Sequence, residues 1–105
     1  MLVQKSSPVR TYELTYLVGS GYTTAETASL QDQITALIGK YNGKIVEVID
    51  WGKKALAYPI HHEGKSHVEA NYTHIVLEMP AERAQKFAND VKMKREIIRS
   101  LLVVR

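Results

Sequence analysis

The sequence predicts an α+β fold of the ferredoxin-like type, with the element order β-α-β-β-α-β. Two observations predict it. Four segments alternate apolar with polar residues or are rich in Val, Ile and aromatic side chains, as strands are. Two further segments repeat apolar residues at helical spacing. Two helices would then cover one face of a four-stranded antiparallel sheet. In the usual strand order 4-1-3-2, the second and fourth strands lie at the sheet edges.

The first strand is predicted over residues 12–18, where Tyr, Leu and Val alternate with Thr and Glu. Gly-Ser-Gly at residues 19–21 ends this strand. Thr23, followed three residues later by Glu26, forms a capping box that predicts the start of a helix. Asn-Gly at residues 42–43 predicts the end of this helix, because these residues readily adopt the left-handed backbone conformation that terminates helices. The apolar stripe of this first helix consists of Leu30, Ile34, Leu37, Ile38 and Tyr41.

The second strand is predicted over residues 44–60, with a bulge or bend at Gly52. The polar stretch 61–65 contains Gly64 and predicts the tip of a hairpin. Pro80 follows the returning strand at a position where a second helix can start. One face of the returning strand carries Thr73, Ile75, Leu77 and Met79, and the other carries Tyr72, His74, Val76 and Glu78. The second helix has the apolar stripe Ala84, Phe87, Ala88 and Val91.

The last strand, predicted over residues 97–104, ends in four consecutive apolar residues. An alternating strand places two of these on each face, whereas one layer of helices buries only one face. An edge strand with a second apolar face is a liability unless something docks on it. We therefore expect a protein partner to cover the outward side chains, with Leu102 and Val104 as the candidates. Shielding by the tail or by neighbouring side chains stays open.

Length and composition bound the class of protein. The chain has 105 residues, 45% of them apolar and 24% charged, as a single folded domain has. We expect an N-terminal tail over residues 1–9 and one domain over residues 10–105. The absence of cysteine excludes disulfides, cysteine-zinc sites and thiol catalysis, and it favours a reducing compartment. No apolar run is long enough to span a membrane.

Four functional interpretations of short motifs are less well supported by the sequence than purely structural ones. The loop at residues 19–24 lacks the spacing of a phosphate-binding motif and is typical of a tight turn followed by a helix cap. No catalytic motif is present, although a small ferredoxin-like enzyme or ligand sensor stays possible as an alternative function. Tyr72 is the one aromatic residue predicted on the uncovered face of the central strands, so base stacking is not expected. Solvated side chains, rather than metal ligands, are expected for His61, His62, His67 and His74.

Positive charge is concentrated at the C-terminus. Residues 92–105 contain five Lys or Arg residues against Glu96, and this +4 exceeds the net charge of +3 of the whole chain. Such a cluster suits a polyanion such as RNA, because each cation that neutralises a phosphate releases counterions. A solvated helix end would account for the cluster equally well.

Several blocks of the sequence resemble the bacterial-type small-subunit ribosomal protein six family. The most specific is Gly-Lys-Lys-Ala-Leu-Ala-Tyr-Pro-Ile at residues 52–60. Weaker matches are Tyr12-Glu13, Glu78-Met79-Pro80, Val91-Lys92-Met93, Ile97, Arg99 and residues 101–104. Together they cover about residues 10–104. His62 departs from the family pattern, in which lysine is common at this position, and the hairpin over residues 61–70 is a few residues longer than usual.

The resemblance implies a structural protein of the small ribosomal subunit rather than an enzyme. Such a protein would bind the central domain of small-subunit ribosomal RNA as a heterodimer with ribosomal protein eighteen, on a cytoplasmic or organellar ribosome. It implies no cofactor, metal, membrane or small-molecule substrate. The family's basic positions correspond here to Arg10, Lys53, Lys54, Lys92 and Arg99, and Lys94 and Arg95 are added because they lie in the same connection.

Overall fold

A computed structural model describes residues 8–105 and confirms the predicted element order. The sheet has the order β2-β3-β1-β4 with antiparallel neighbours, so the predicted order and both predicted edge strands are confirmed. The elements are β1 (Val9–Gly19), α1 (Thr24–Lys40), β2 (Lys44–His62), β3 (Lys65–Pro80), α2 (Ala81–Lys92) and β4 (Ile97–Val104). Residues 1–7 of the predicted tail lie outside the described residues. Neither helix of the described chain is long and apolar enough to cross a membrane.

The hydrophobic core lies between one face of the sheet and the two helices. Alternation in β1 and β3 aims every second side chain at this core, and the helical stripes face it. The fully buried side chains include Leu14, Tyr16, Leu30, Ile34, Ile38, Ile75, Leu77, Met79, Phe87 and Val91. We call the opposite face, which carries Thr15, His74 and Leu101 and no helix, the open face.

Both ends of α1 follow from short sequence signals. The Glu26 N–H donates to Thr23 Oγ1 at 3.1 Å, and the Thr23 N–H donates to Glu26 Oε1 at 2.9 Å, which confirms the capping box. At the other end Asn42 has the left-handed φ of 61°. The Gly43 N–H then donates to the Ile38 carbonyl at 2.7 Å. This pattern is that of a Schellman stop, as the Asn-Gly pair predicts.

The predicted bulge in β2 is confirmed at Gly52. The register against β3 shifts between Asp50 and Gly52, and Gly52 adopts a φ of +76°. Its N–H donates to Asp50 Oδ1 at 2.8 Å, which closes the turn of the bulge. A second irregularity lies between Ala55 and Ile60. Beyond it the hairpin turns at Glu63 and Gly64, both at positive φ.

The orientation expected for the end of β4 is wrong. Leu102 pairs with Leu14 and Val104 pairs with Tyr12, so both lie on the helix side of the sheet rather than pointing outward from it. Leu102 packs against the core, and Val104 is exposed at the edge. The neighbours Leu101 and Val103, 63% and 44% exposed, occupy the open face instead. The register of β4 on β1 decides this, since a shift by one residue exchanges the two faces.

Candidate nucleic-acid interface

Most of the predicted RNA-binding cations lie at one end of the sheet. β1 ends there and β4 begins there, and the β2–β3 hairpin extends beyond it; we call this the hairpin end. Its cations are Lys53, Lys54, Lys92, Lys94, Arg95 and Arg99. Arg10 pairs with Met79 at the opposite end of β1, so the structure does not bring it to the others. Their roles in RNA binding stay predictions.

The tip of the hairpin is tied to the connection between α2 and β4. His62 Nε2 lies 2.7 Å from the carbonyl oxygen of Arg95, which can only accept, so His62 donates. His67 Nε2 in turn donates to the His62 carbonyl at 3.3 Å. The His67 ring lies against Gly19, where an added Cβ would come within 2.8 Å of it. The hairpin is therefore held to the body of the domain at two neighbouring points, Arg95 and Gly19, and the His67–His62 hydrogen bond joins its own two strands.

These contacts frame a cationic cleft between the hairpin tip, the end of α2 and the start of β4. The cleft measures about 340 Å³. Its lining residues are His62, Lys92, Ile97, Ile98, Arg99 and Ser100, with no carboxylate among them. Lys92 and Arg99 are exposed and make no ion pair with another residue of the described chain. Two unpaired cations and a hydroxyl at a concave surface suit the phosphate oxygens of a nucleic acid.

A larger cavity of about 400 Å³ adjoins the cleft on the other side of His62. It is lined by Gly19 at the end of β1, by Gly21 and by both acidic and basic side chains. Its acidic residues are Glu26, Glu63 and Glu96, and its basic ones are Lys65 and Arg95. The carboxylates offset the positive potential that a polyanion needs, so the cleft with Lys92 and Arg99 is the better candidate.

The other cations of the hairpin end are held only weakly. Lys53 Nζ lies 3.8 Å from Glu69 Oε2, and Arg95 Nη2 lies 3.9 Å from Glu63 Oε2, with all four side chains substantially exposed. Lys94 Nζ donates to Gln33 Oε1 at 3.1 Å. Exposed pairs of this kind contribute about 0–1 kcal/mol, so these side chains can exchange their partners for phosphates.

The expectation of four solvated histidines is wrong for His74. This residue is buried on the central strand β3, and its Nε2 donates to Glu13 Oε1 at 3.0 Å. In the neutral tautomer its Nδ1 then accepts from Thr15 Oγ1 at 2.9 Å. Because Thr15 lies opposite His74 in the antiparallel pair of β1 and β3, the contact between them could have been predicted from the sequence. The ring of Trp51 also stacks on His74, and this contact could not have been predicted because it depends on the bulge in β2. Within residues 8–105, no group of three or more His, Asp or Glu side chains is placed to hold a metal ion.

The chain is similar in sequence to small-subunit ribosomal proteins. The family model described as Ribosomal protein S6 matches residues 11–104. Small ribosomal subunit protein bS6 of Orientia tsutsugamushi is 33% identical over 95 residues, which are 90% of this chain and 77% of the relative. The bS6 protein of Vesicomyosocius okutanii is 32% identical over 95 residues, which are 90% of this chain and 80% of the relative.

Solved structures share the fold. The crystal structure of 30S ribosomal protein S6 from Thermotoga maritima superposes with a TM-score of 0.80 at 24% identity, over 93% of this chain and 89% of that one. A chain from the complex of the chemotaxis kinase CheA P2 domain with CheY, also from Thermotoga maritima, superposes with a TM-score of 0.65 at 10% identity. The match covers 93% of this chain and 100% of that one. At identities this low the superpositions show a shared fold and nothing more, and they confirm the ferredoxin-like arrangement.

Proposed function

Because the chain belongs to the ribosomal protein S6 family, we propose that it binds the central domain of small-subunit ribosomal RNA together with ribosomal protein eighteen. The family has a structural role in the small ribosomal subunit, and the proposal extends this to a protein without catalytic activity on a cytoplasmic ribosome. The observation that carries it is the cleft with Lys92 and Arg99, two exposed cations beside the hairpin tip that form no ion pair within residues 8–105.

Electrostatics explains why this end of the molecule would meet RNA. Four of the five cations in residues 92–105 lie on the last turn of α2, the connection and the start of β4, whereas Arg105 lies at the other end of the sheet beside Thr11. Lys53 and Lys54 of β2 add to these four at the hairpin end. Each cation that neutralises a phosphate adds to affinity through counterion release. His62 holds the hairpin tip to the backbone of Arg95, so the cations of the cleft are presented in a fixed arrangement. Phosphates at matching spacing would be recognised by shape.

The partner protein fits a different surface, the groove between β4 and α2. The groove measures about 390 Å³ and its walls are largely apolar, formed by Tyr12, Ala84, Ala88, Leu102 and Val104. Val104 is 57% exposed there, at the free edge of β4. An apolar segment of ribosomal protein eighteen laid against this edge would remove Val104 from water at roughly 25 cal/mol per Å² of apolar area. In this proposal Leu102 forms the floor of the groove and Val104 its rim.

Co-sedimentation with small ribosomal subunits at high magnesium concentration tests the proposal. The wild-type chain should sediment with the subunits, and it should bind an isolated central-domain RNA fragment when ribosomal protein eighteen is added. A metabolic enzyme of the same fold would stay in the supernatant. Replacing both Lys92 and Arg99 by Ala should weaken RNA binding, whereas Lys44→Ala, an exposed lysine at the opposite end of β2, should not. Equal loss in both variants would contradict the assignment of the cleft.

A further inference from the structure

We propose that the indole ring of Trp51 on the open face stacks on an unpaired base of the bound RNA, with Lys54 contacting the adjoining phosphate. This inference rests on the proposed function and adds a specific subsite to it. It also replaces the expectation that no base stacks on this chain. That expectation considered only the central strands, where Tyr72 is the one aromatic residue of the uncovered face, whereas the bulge of the edge strand β2 places Trp51 there as well.

The geometry of Trp51 is that of a preformed platform. Its ring stacks on the buried ring of His74, with centroids 4.7 Å apart and planes inclined by 14°. His74 is itself fixed by Thr15 and Glu13. The bulge that positions Trp51 is closed by the hydrogen bond between Gly52 and Asp50. The indole therefore loses little freedom on binding a base, and 44% of its surface remains exposed.

Charges around the ring favour a nucleotide. Lys54 Nζ lies over the indole ring, 5.9 Å from its centre, in a cation–π contact that an incoming base would replace while the ammonium group turns to the phosphate of that base. Pairing across the sheet places Gly52, Tyr72, Leu17 and Arg99 in one row of the open face, so Arg99 belongs to the same surface. Gly52 contributes no side chain to this row, and an added Cβ would meet nothing within 4 Å. The strand therefore leaves open space at Gly52, opposite Tyr72.

The carboxylate of Glu13, which lies beside His74, already has two partners. Glu13 Oε1 accepts from His74, and Glu13 Oε2 lies 3.5 Å from Arg105 Nε. Glu47 pairs with Val76, one row beyond His74, and its negative charge ends the cationic surface on the side away from the hairpin end. The open face is therefore basic and aromatic toward the hairpin end. Proteins that bind single-stranded nucleic acid combine aromatic rings, on which the bases stack, with cations that contact the phosphates.

The sequence contains a single tryptophan, so intrinsic fluorescence reports on residue 51 alone. With ribosomal protein eighteen added and its own signal subtracted, the wild-type chain is titrated with the central-domain RNA fragment and, separately, with inorganic polyphosphate, which carries the charge without bases. We expect the RNA to quench the fluorescence at stoichiometric amounts and polyphosphate to leave it largely unchanged. Equal quenching by both would overturn base stacking, because charge alone would then explain the signal. RNA binding without quenching would also overturn it.

Variants give a second readout. Trp51→Leu removes the aromatic platform and should weaken RNA binding roughly 5- to 150-fold, the range measured for loss of one stacked base. Trp51→Phe keeps an aromatic ring, so its affinity for RNA should stay within about threefold of wild type, a smaller change than the one expected for Trp51→Leu. Thermal melting checks that both variants fold. RNA binding that is equal in all three proteins overturns the stacking inference and leaves the proposed function standing. A wild-type chain that binds no RNA, even with ribosomal protein eighteen present, overturns both.

Discussion

His62 Nε2 lies 2.7 Å from the carbonyl oxygen of Arg95, a residue 33 positions further along the chain. This contact joins the tip of the β2–β3 hairpin to the connection between α2 and β4, and so it closes the cleft that holds Lys92 and Arg99. Lysine is common at position 62 in the family that the sequence resembles, and its ammonium group would also donate to a carbonyl. A donor, rather than a particular ring, is what the position requires.

Replacing His62 by Ala should weaken binding to the RNA fragment by about 0.5–1.5 kcal/mol, the usual contribution of one hydrogen bond, because the tip is no longer held in place. Fluorescence anisotropy of labelled RNA measures the change. His61→Ala is the matched control, since His61 is the exposed neighbour on the same strand. His62→Lys should restore most of the affinity. If both alanine variants bind like wild type, the hairpin tip does not organise the cleft.

Replacing Lys92 and Arg99 together by Ala should make RNA binding less sensitive to salt. If each side chain contacts one phosphate, the slope of log affinity against log salt concentration should flatten by about 1.4 to 1.8. Titrations at four or more salt concentrations measure the slope, with the double replacement of the exposed Lys40 and Lys44 by Ala as the control for net charge. An unchanged slope would remove both residues from the RNA-binding surface.

Substitutions at Val104 and Leu102 should have different effects, the first on partner binding and the second on folding stability. Val104→Lys places a charge on the rim of the apolar groove, so it should reduce capture of ribosomal protein eighteen while the melting temperature stays near that of wild type. Leu102→Ala removes a half-buried side chain from the edge of the core and should lower stability by about 1–2 kcal/mol, below the range of a fully buried leucine. Full partner binding by Val104→Lys would exclude this groove as the docking surface.

The fold could be predicted because its signals are local. The capping box of Thr23 and Glu26, the Asn-Gly stop and the alternation in β3 each specify an element without reference to distant residues, and all three are confirmed. The bulge at Gly52 was also visible, because glycine interrupts a segment of strand formers.

The candidate site depends on contacts that the sequence does not encode locally. The face occupied by Leu102 follows from the register of β4 on β1, and four consecutive apolar residues are compatible with either register. The stacking of Trp51 on His74 depends on the direction in which the bulge turns the strand. The partner of His62 lies in a connection distant in sequence, so periodicity carries no information about it. Clustering of the cations at the hairpin end likewise emerges only from the antiparallel order of β1 and β4.

Tyr16→Phe should stabilise the protein slightly and flatten its loss of stability in alkali. The ring is fully buried, and its hydroxyl makes no hydrogen bond within the described residues. Burial raises the pKa of Tyr16; the neighbouring Thr73 hydroxyl lowers this pKa less, although it does not make a hydrogen bond of good geometry.

The sign of the pH effect follows from that shift. Above about pH 10 the unfolded chain ionises its tyrosines while folded Tyr16 keeps its proton, so stability falls as pH rises. The pKa of Tyr41 is raised by its hydrogen bond to Asp90, which adds a loss of the same sign in both proteins. Urea unfolding at pH 7 and between pH 9 and 11 measures both effects. We expect a gain of about 1 kcal/mol or less at pH 7. A Phe variant that is less stable at pH 7 would show that the hydroxyl is satisfied.

Two glycines at the end of α1 should respond oppositely to alanine. Gly39 lies within the helix, and an added Cβ would meet nothing within 4 Å, so Gly39→Ala should stabilise the protein by about 0.5–1 kcal/mol through helix propensity and a less flexible unfolded chain. Gly43 follows the left-handed Asn42, and its added Cβ would lie 2.9 Å from the Glu78 carbonyl oxygen and 2.9 Å from Ile38 Cγ2. Because the carbonyl belongs to the central strand β3 and cannot move cheaply, Gly43→Ala should destabilise by about 1–3 kcal/mol. Urea unfolding of both variants measures the difference, and a Gly43→Ala protein as stable as wild type would contradict the close approach of α1's end to the sheet.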